Sequence, residues 1–229
     1  MRGMRRAFTA AIVALLTACG GGGESADSPN AGCVPATTVY VQMFGDSTQA
    51  GYTTNPDNTS TIVASNPAAA LQAFFTKRYG AGAVIVSSRA VSGTTAKELV
   101  TGTDHLNAPW PGSVQADIVV VNHGINDLTH DGDLTAYQLA LRKLATAPAL
   151  VIFETPNAVK EWNLAPYAQV MRDVAKENGL AVVDTYAFTA DKVGQLSDWA
   201  HPTDELYTRI SELVQPVVAV AVSRLRCEL

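Results

Sequence analysis

Cysteine is scarce, with three in 229 residues. That is too few for a disulfide scaffold, and a chain of this length buries a core without such staples. Charge is also scarce, at 16% against 47% hydrophobic residues, which excludes a disordered chain. The 16 Lys and Arg residues are outnumbered by 21 Asp and Glu, for a net charge of −5. The basic residues form no stripe, so nucleic acid is excluded as a partner. No apolar run reaches the roughly 18 residues of a membrane-spanning helix. There is no internal repeat and no second composition block, so the chain reads as one domain.

What is present begins with an address. Arg2, Arg5 and Arg6 precede a short apolar run, Ala7 to Leu16, and then Leu16-Thr17-Ala18-Cys19 and the glycines 20 to 23. This is the layout of a secretory signal. Its ending resembles the lipobox of bacterial lipoproteins. The resemblance implies cleavage before Cys19 and a diacylglyceryl group on the Cys19 thiol. The alternative is an ordinary signal peptide that contains a cysteine. Residues 1–18 are therefore expected to be a lipoprotein signal peptide, 19–34 a flexible tether, and 35–229 the folded domain. The expected location is a bacterial cell envelope, facing the periplasm or the exterior. Cleavage leaves 13 basic against 21 acidic residues, a net −8 on 211 residues. So acidic a domain gains nothing from anionic headgroups, and the lipid alone would hold it at a membrane. Export also bears on Cys33 and Cys227, which stand at opposite ends of the folded region. Domain termini often lie close together, and an oxidising compartment favours their pairing. A Cys33–Cys227 disulfide is the expectation, with two unpaired thiols the alternative.

The rest alternates. Val39–Phe44, Ala83–Ser88, Asp117–Asn122, Ala149–Glu154 and Leu180–Asp184 are short, mostly apolar runs. Runs of this kind suit strands buried on both faces, hence a parallel sheet. Helical spacing appears in Pro67–Tyr79, Leu134–Ala147, Leu164–Asn178 and Thr203–Arg224. Thr203 can cap the last of these, with Asp204 and Glu205 favourable in its first turn. Pro216 is expected to kink or split it. The alternation predicts a three-layer α/β/α sandwich on a parallel sheet of about five strands.

In open parallel sheets, ligands bind beyond the carboxyl ends of the strands. Those ends carry Gly45-Asp46-Ser47-Thr48, Val91-Ser92-Gly93-Thr94 and Gly124-Ile125-Asn126-Asp127. Past the fifth run stands Asp198-Trp199-Ala200-His201-Pro202. A serine hydroxyl needs a neighbouring base to act as a nucleophile, and His201 can be that base. Asp198, three residues earlier, can orient the imidazole. Attack on a carbonyl builds an oxyanion that needs fixed donors. Gly93 can bring a backbone N–H close, Asn126 can offer its carboxamide, and the Ser47 N–H is a third donor.

Together, and in this order, the four segments resemble the four sequence blocks of the SGNH (GDSL-type) hydrolases. The resemblance runs from about Val39 to His201 and takes in the helix that follows. It implies a flavodoxin-like fold and ester hydrolysis without metal or other cofactor. It carries over Ser47 as nucleophile, His201 as base, Asp198 as orienter, and Ser47, Gly93 and Asn126 as oxyanion hole. Two positions depart from the family pattern. Thr48 stands where Leu often follows Gly-Asp-Ser, and Ser88 and Arg89 lie where Asn often precedes the second-block glycine. Neither carries a chemical role.

Other residues bear weaker expectations. His123 is expected at the cleft rim as a hydrogen-bonded histidine, and His105 and His130 in solvent. No His-x-x-x-His pair exists, so no metal site is expected. Asp127 is expected to fix its loop through backbone hydrogen bonds. Glu154 ends a strand near the cleft with no assigned role. The polar stretch Gln49–Asn66, with Trp110, Trp162 and Trp199 in connecting segments, suits short acyl esters such as O-acetylated envelope glycans. The tryptophans serve equally well as packing anchors. The alternatives are a lysophospholipase or thioesterase for longer chains, an inactive ligand-binding lipoprotein, and a nucleotide binder. The last would need a glycine-rich phosphate loop that Gly45-Asp46-Ser47-Thr48 lacks.

Overall fold

The computed structural model describes residues 34–229. Cys19, the tether up to Cys33 and the signal segment lie outside the described residues. Cys227 is disulfide-bonded. Cys33, the partner expected from the sequence, lies outside them too.

Five strands form one parallel sheet: β1 (Val39–Gly45), β4 (Val84–Ser88), β5 (Ile118–Asn122), β6 (Leu150–Glu154) and β7 (Ala181–Val183). A small antiparallel hairpin, β2 (Tyr52–Thr54) and β3 (Ser60–Ile62), stands apart from it. The order across the sheet is β4-β1-β5-β6-β7, the flavodoxin-like order. Each main strand lies within about two residues of its apolar run. The central strand β5 is buried along its whole length, whereas the edge strand β4 exposes Ile85, Ser87 and Ser88.

Helices cover both faces. Leu71 and Phe75 of α2 (Pro67–Tyr79) and Leu206, Ile210, Val214 and Val218 of α7 (Asp204–Leu225) pack on Val39, Val41, Met43, Ile118, Val120 and Ile152. On the other face lie α3 (Ala96–Thr101), α4 (Leu134–Leu144) and α5 (Ala165–Asn178). They set Leu99, Tyr137, Leu141, Tyr167 and Met171 against Phe44, Val119, Val121, Val151 and Phe153. Strand residues one apart thus feed different cores, as the two-residue period requires. The sequence expectation of a three-layer α/β/α sandwich on five parallel strands is met.

The helix starts are set locally. Asn66, Asp133 and Thr203 each accept a backbone N–H in the first turn, and Thr95 with Glu98 forms a reciprocal capping box. Each cap contributes about 1 kcal/mol. Pro216 does not split the last helix, for α7 runs continuously from Asp204 to Leu225. The hairpin, the six-residue α3 and the short α6 (Thr185–Thr189) are elements that the apolar periodicity does not announce. Among the described residues no helix is long and apolar enough to cross a membrane.

Candidate active site

From β1 the chain moves out to β4 and then crosses to β5 on the other side, so the strand order reverses at β1, the place where a crevice forms beyond the carboxyl ends. Gly45 ends β1 opposite Asn122. A Cβ on Gly45 would lie 2.4 Å from the Asn122 carbonyl oxygen and 2.5 Å from Gln49 Cβ, so no side chain fits there. Asp46 follows as the N-cap of α1 (Ser47–Ala50); its Oδ1 accepts from the Thr48 N–H at 2.9 Å and the Thr48 hydroxyl at 2.8 Å. This turn presents Ser47, which is only partly buried, as the first helical residue.

The segment before α7 brings the base. Ser197 donates both its backbone N–H (2.8 Å) and its hydroxyl (3.0 Å) to the His201 carbonyl, and Leu196 bridges Pro202. Asn157 Nδ2 donates to the Ala200 carbonyl at 2.9 Å, fastening the same loop to the end of β6. His201 Nε2 then lies 2.9 Å from Ser47 Oγ, and Nδ1 lies 2.6 Å from Asp198 Oδ2. Asp198 Oδ1 accepts the N–H groups of Ala200 and His201, both at 2.7 Å. Burial works to raise the Asp198 pKa. The bonds from the His201 ring and N–H, the Thr54 hydroxyl and the Ala200 N–H outweigh it and hold the carboxyl well below the usual range. Asp198 is therefore an anion beside the imidazole.

Thr54 was not legible in the sequence as part of this chain. Its hydroxyl donates to Asp198 Oδ2 at 2.7 Å, and its N–H donates to Ser197 Oγ at 3.0 Å. Tyr207 on α7 holds the same hairpin by donating to the Tyr52 carbonyl at 2.7 Å. Thr54 and Asp198 are 144 residues apart, and no spacing rule links them.

The oxyanion candidates converge through Asn126. Its Nδ2 donates to Asp46 Oδ2 at 3.3 Å and to the Thr94 carbonyl at 3.1 Å. One side chain thus ties the Ser47 segment to the Gly93 segment. The same bonds engage both N–H groups of the carboxamide, so Asn126 is not a free donor in this state. Gly93 has φ +77°, and a Cβ there would meet nothing within 4 Å. The left-handed backbone, not crowding, accounts for the glycine. Neither the Ser47 nor the Gly93 N–H is engaged by another described residue.

One expectation changes. His123 is not a rim residue: it is 1% exposed, its Nδ1 has no hydrogen-bond partner, and burial pushes its pKa down. It directly follows the buried β5, which carries it inside. Asp127 fixes its loop through backbone hydrogen bonding, as expected, and the bond reaches another segment. It accepts the Ala96 N–H at 3.0 Å and so anchors the start of α3; burial pushes its pKa up to about 7. Trp110 packs edge-on against Phe44 at 5.3 Å, as an anchor of the core. His105 and His130 are exposed as expected, and Trp162 is 50% exposed. Among the described residues no group of three or more His, Cys, Asp or Glu is placed to hold a metal ion.

This arrangement can move a proton from a serine hydroxyl to an imidazole backed by a carboxylate, beside unengaged backbone donors. Comparisons with known proteins bear on the fold and the family. The fold is similar to an α/β hydrolase, LAE5, from the metagenome of Lake Arreo, Spain (TM-score 0.59, 20% identity, 82% of this chain and 96% of that one). It is similar to Axe2, an acetylxylan esterase from Geobacillus stearothermophilus (TM-score 0.59, 19% identity, 80% and 94%). It is also similar to a carbohydrate acetylesterase family member from Sinorhizobium meliloti (TM-score 0.60, 16% identity, 81% and 99%). No curated protein sequence matches the chain. The family described as GDSL-like Lipase/Acylhydrolase matches residues 43–209, well over half of the chain. The chain belongs to this family of ester-bond hydrolases, the SGNH type whose four blocks meet at the carboxyl end of the sheet.

Proposed function

We propose that the protein is a serine esterase for short acyl groups, acetyl above all, on O-acetylated glycans of a bacterial cell envelope, where a lipid on Cys19 holds it. The observation that carries the chemical part is the unbroken chain from Ser47 Oγ through His201 to Asp198, at 2.9 and 2.6 Å. Ser47 Oγ attacks the ester carbonyl while His201 Nε2 takes its proton, and the Asp198 anion steadies the imidazolium. The tetrahedral oxyanion accepts from the Ser47 and Gly93 N–H groups and from Asn126 Nδ2. The longer Asn126 bond, to Asp46, is the one exchanged for it. Collapse breaks the ester C–O bond, and His201 returns the proton to the leaving alcohol. Water then attacks the acyl-serine, with His201 again as base, to release the acid and restore Ser47.

The short-acyl reading draws support from the surroundings. Thr54, Ser197, Thr94 and Asn126 crowd the site with polar groups. The apolar groove of about 460 Å³ lined by Leu150, Val217 and Val220 includes neither Ser47 nor His201. Two structures of similar fold bear the names acetylxylan esterase and carbohydrate acetylesterase family member. The test is turnover of p-nitrophenyl esters of two, four, eight and twelve carbons, with Ser47→Ala as control. Ser47-dependent turnover that peaks at acetate is expected. A peak at eight or twelve carbons would replace this reading with a lysophospholipase or thioesterase. No Ser47-dependent turnover would leave a ligand-binding lipoprotein.

A further inference from the structure

Directly beneath the nucleophile turn lies a polar cluster that the proposed chemistry does not use. Glu154 ends β6 and is 2% exposed; Asn122 ends β5 and is 3% exposed; Gln49 of α1, two residues after Ser47, is 2% exposed. The three line one cavity of about 10 Å³, together with Thr48, Thr185 and Tyr207. Each sends into the buried region a polar atom with no hydrogen-bond partner: Glu154 Oε2, Asn122 Oδ1 and Gln49 Nε2. Three such atoms around one cavity are costly, since each has given up its hydration without gaining a partner.

The remaining atoms of these side chains are already placed. Glu154 Oε1 accepts the Thr185 hydroxyl at 3.0 Å, and Asn122 Nδ2 donates to the Thr155 carbonyl at 3.3 Å. This fixes the Asn122 carboxamide, whose Oδ1 is left without a partner. Burial pushes the Glu154 pKa up to about 7. The Thr185 hydroxyl and the nearby Asn122 and Gln49 amides offset part of that rise, yet neither amide reaches Oε2 in hydrogen-bonding geometry. Asn122 Oδ1, Gln49 Nε2 and Glu154 Oε2 are therefore left without partners around a space of about one water, which needs roughly 10–15 Å³.

We infer that this cavity is a binding site for one internal water, which links Gln49 to Asn122 and Glu154 and braces the nucleophile helix on the ends of β5 and β6. The water donates to Asn122 Oδ1, accepts from Gln49 Nε2, and shares a hydrogen bond with Glu154 Oε2, donating to the carboxylate and accepting from the protonated acid. A metal cation does not suit the site, because the Gln49 N–H would point at it. Gln49, Asn122 and Glu154 are positioning residues: they touch no substrate and act through the placement of Ser47. The positional half of the inference rests on Ser47 being the nucleophile; the water itself does not.

Two measurements test it. In a crystal structure of the wild-type protein at about 1.5 Å or better, a water is expected within about 2.7–3.2 Å of all three atoms. A dry cavity, or direct bonds among the three side chains, would overturn the site whether or not the protein hydrolyses esters. The second is steady-state kinetics on p-nitrophenyl acetate for Gln49→Leu, Glu154→Leu and Glu154→Gln. The leucine variants are expected to lose about tenfold or more in kcat with KM unchanged, because small displacements of a nucleophile are expensive. Glu154→Gln keeps both hydrogen-bonding positions and is expected to recover most of that loss. Folded leucine variants with wild-type kcat would overturn the positioning role, as would a glutamine variant no better than leucine. Should Glu154→Leu not fold, Gln49→Leu carries the same test from the α1 side.

Discussion

Two carboxylates at the carboxyl end of the sheet, Asp198 and Glu154, sit in opposite electrostatic surroundings. The Asp198 side chain keeps about a fifth of its surface exposed and gathers four hydrogen bonds from protein donors. Its pKa is held low. Glu154 is buried, gains one well-formed bond, from Thr185, and has its pKa pushed up to about 7. The difference is in the supply of donors, since burial pushes both the same way. The loop before α7 aims backbone N–H groups at Asp198, which suits it to steady an imidazolium. The strand ends around Glu154 offer it amides at a distance, which suits it to hold a backbone turn. Asp127 belongs with Glu154, being buried, raised to about 7, and bonded to the start of α3.

The contrast can be broken from either side. On the exposed side, Ser47→Ala and His201→Ala are each expected to lower kcat by about 10³-fold or more, because the two act as one unit. Combining them should cost little beyond either alone, and steady-state kinetics on p-nitrophenyl acetate would read this. Next in size is Asn126→Ala. Loss of one oxyanion donor is expected to cost about 10²–10³-fold in kcat. Its bridge from Asp46 to Thr94 would be lost as well, so thermal unfolding should show a smaller, separate fall in stability. Thr54→Val removes one donor from Asp198. It should lower kcat by up to about tenfold, the upper end of what one hydrogen bond to a partly exposed charge contributes, with KM little changed.

The buried side is read best by pH. Glu154 and Asp127 keep their protons to about pH 7 when folded, against ordinary values of 4.5 and 3.8. The folded chain thus binds more protons than the unfolded one across that interval. Their contribution to stability is greatest below about pH 4 and falls as pH rises to about 7, by at most about 1.4 kcal/mol per pH unit for each group. Asp198 acts in the opposite sense, but only as pH falls below its unfolded value of 3.8. Between pH 4.5 and 7.5, Tm should therefore decline more steeply in the wild type than in Glu154→Gln or Asp127→Asn. Parallel curves would show that neither carboxyl holds its proton.

The parts of the molecule legible in the sequence are those with a local signal. Apolar runs marked the five strands because both faces of the sheet are covered. Ser47, Asp198 and His201 stood out because each sits in a short segment of recognisable pattern. The hairpin went unread because its strands are three residues long and rich in Thr and Ser, without alternation. Thr54 reaches the site only through that hairpin. His123 misled because a histidine after an apolar run reads as the first polar residue outside, whereas the chain stays buried through Asp127. The competing bonds on Asn126 come from Asp46 and Thr94, 80 and 32 residues away. Only the folded chain brings such partners together.

The most direct test of the proposed chemistry is covalent labelling with a fluorophosphonate, followed by peptide mass mapping and residual turnover on p-nitrophenyl acetate. One phosphonyl adduct per chain on Ser47, forming in step with the loss of turnover and absent from Ser47→Ala, is the expected result. An adduct on another residue, or turnover that survives full labelling of Ser47, would contradict Ser47 as the nucleophile.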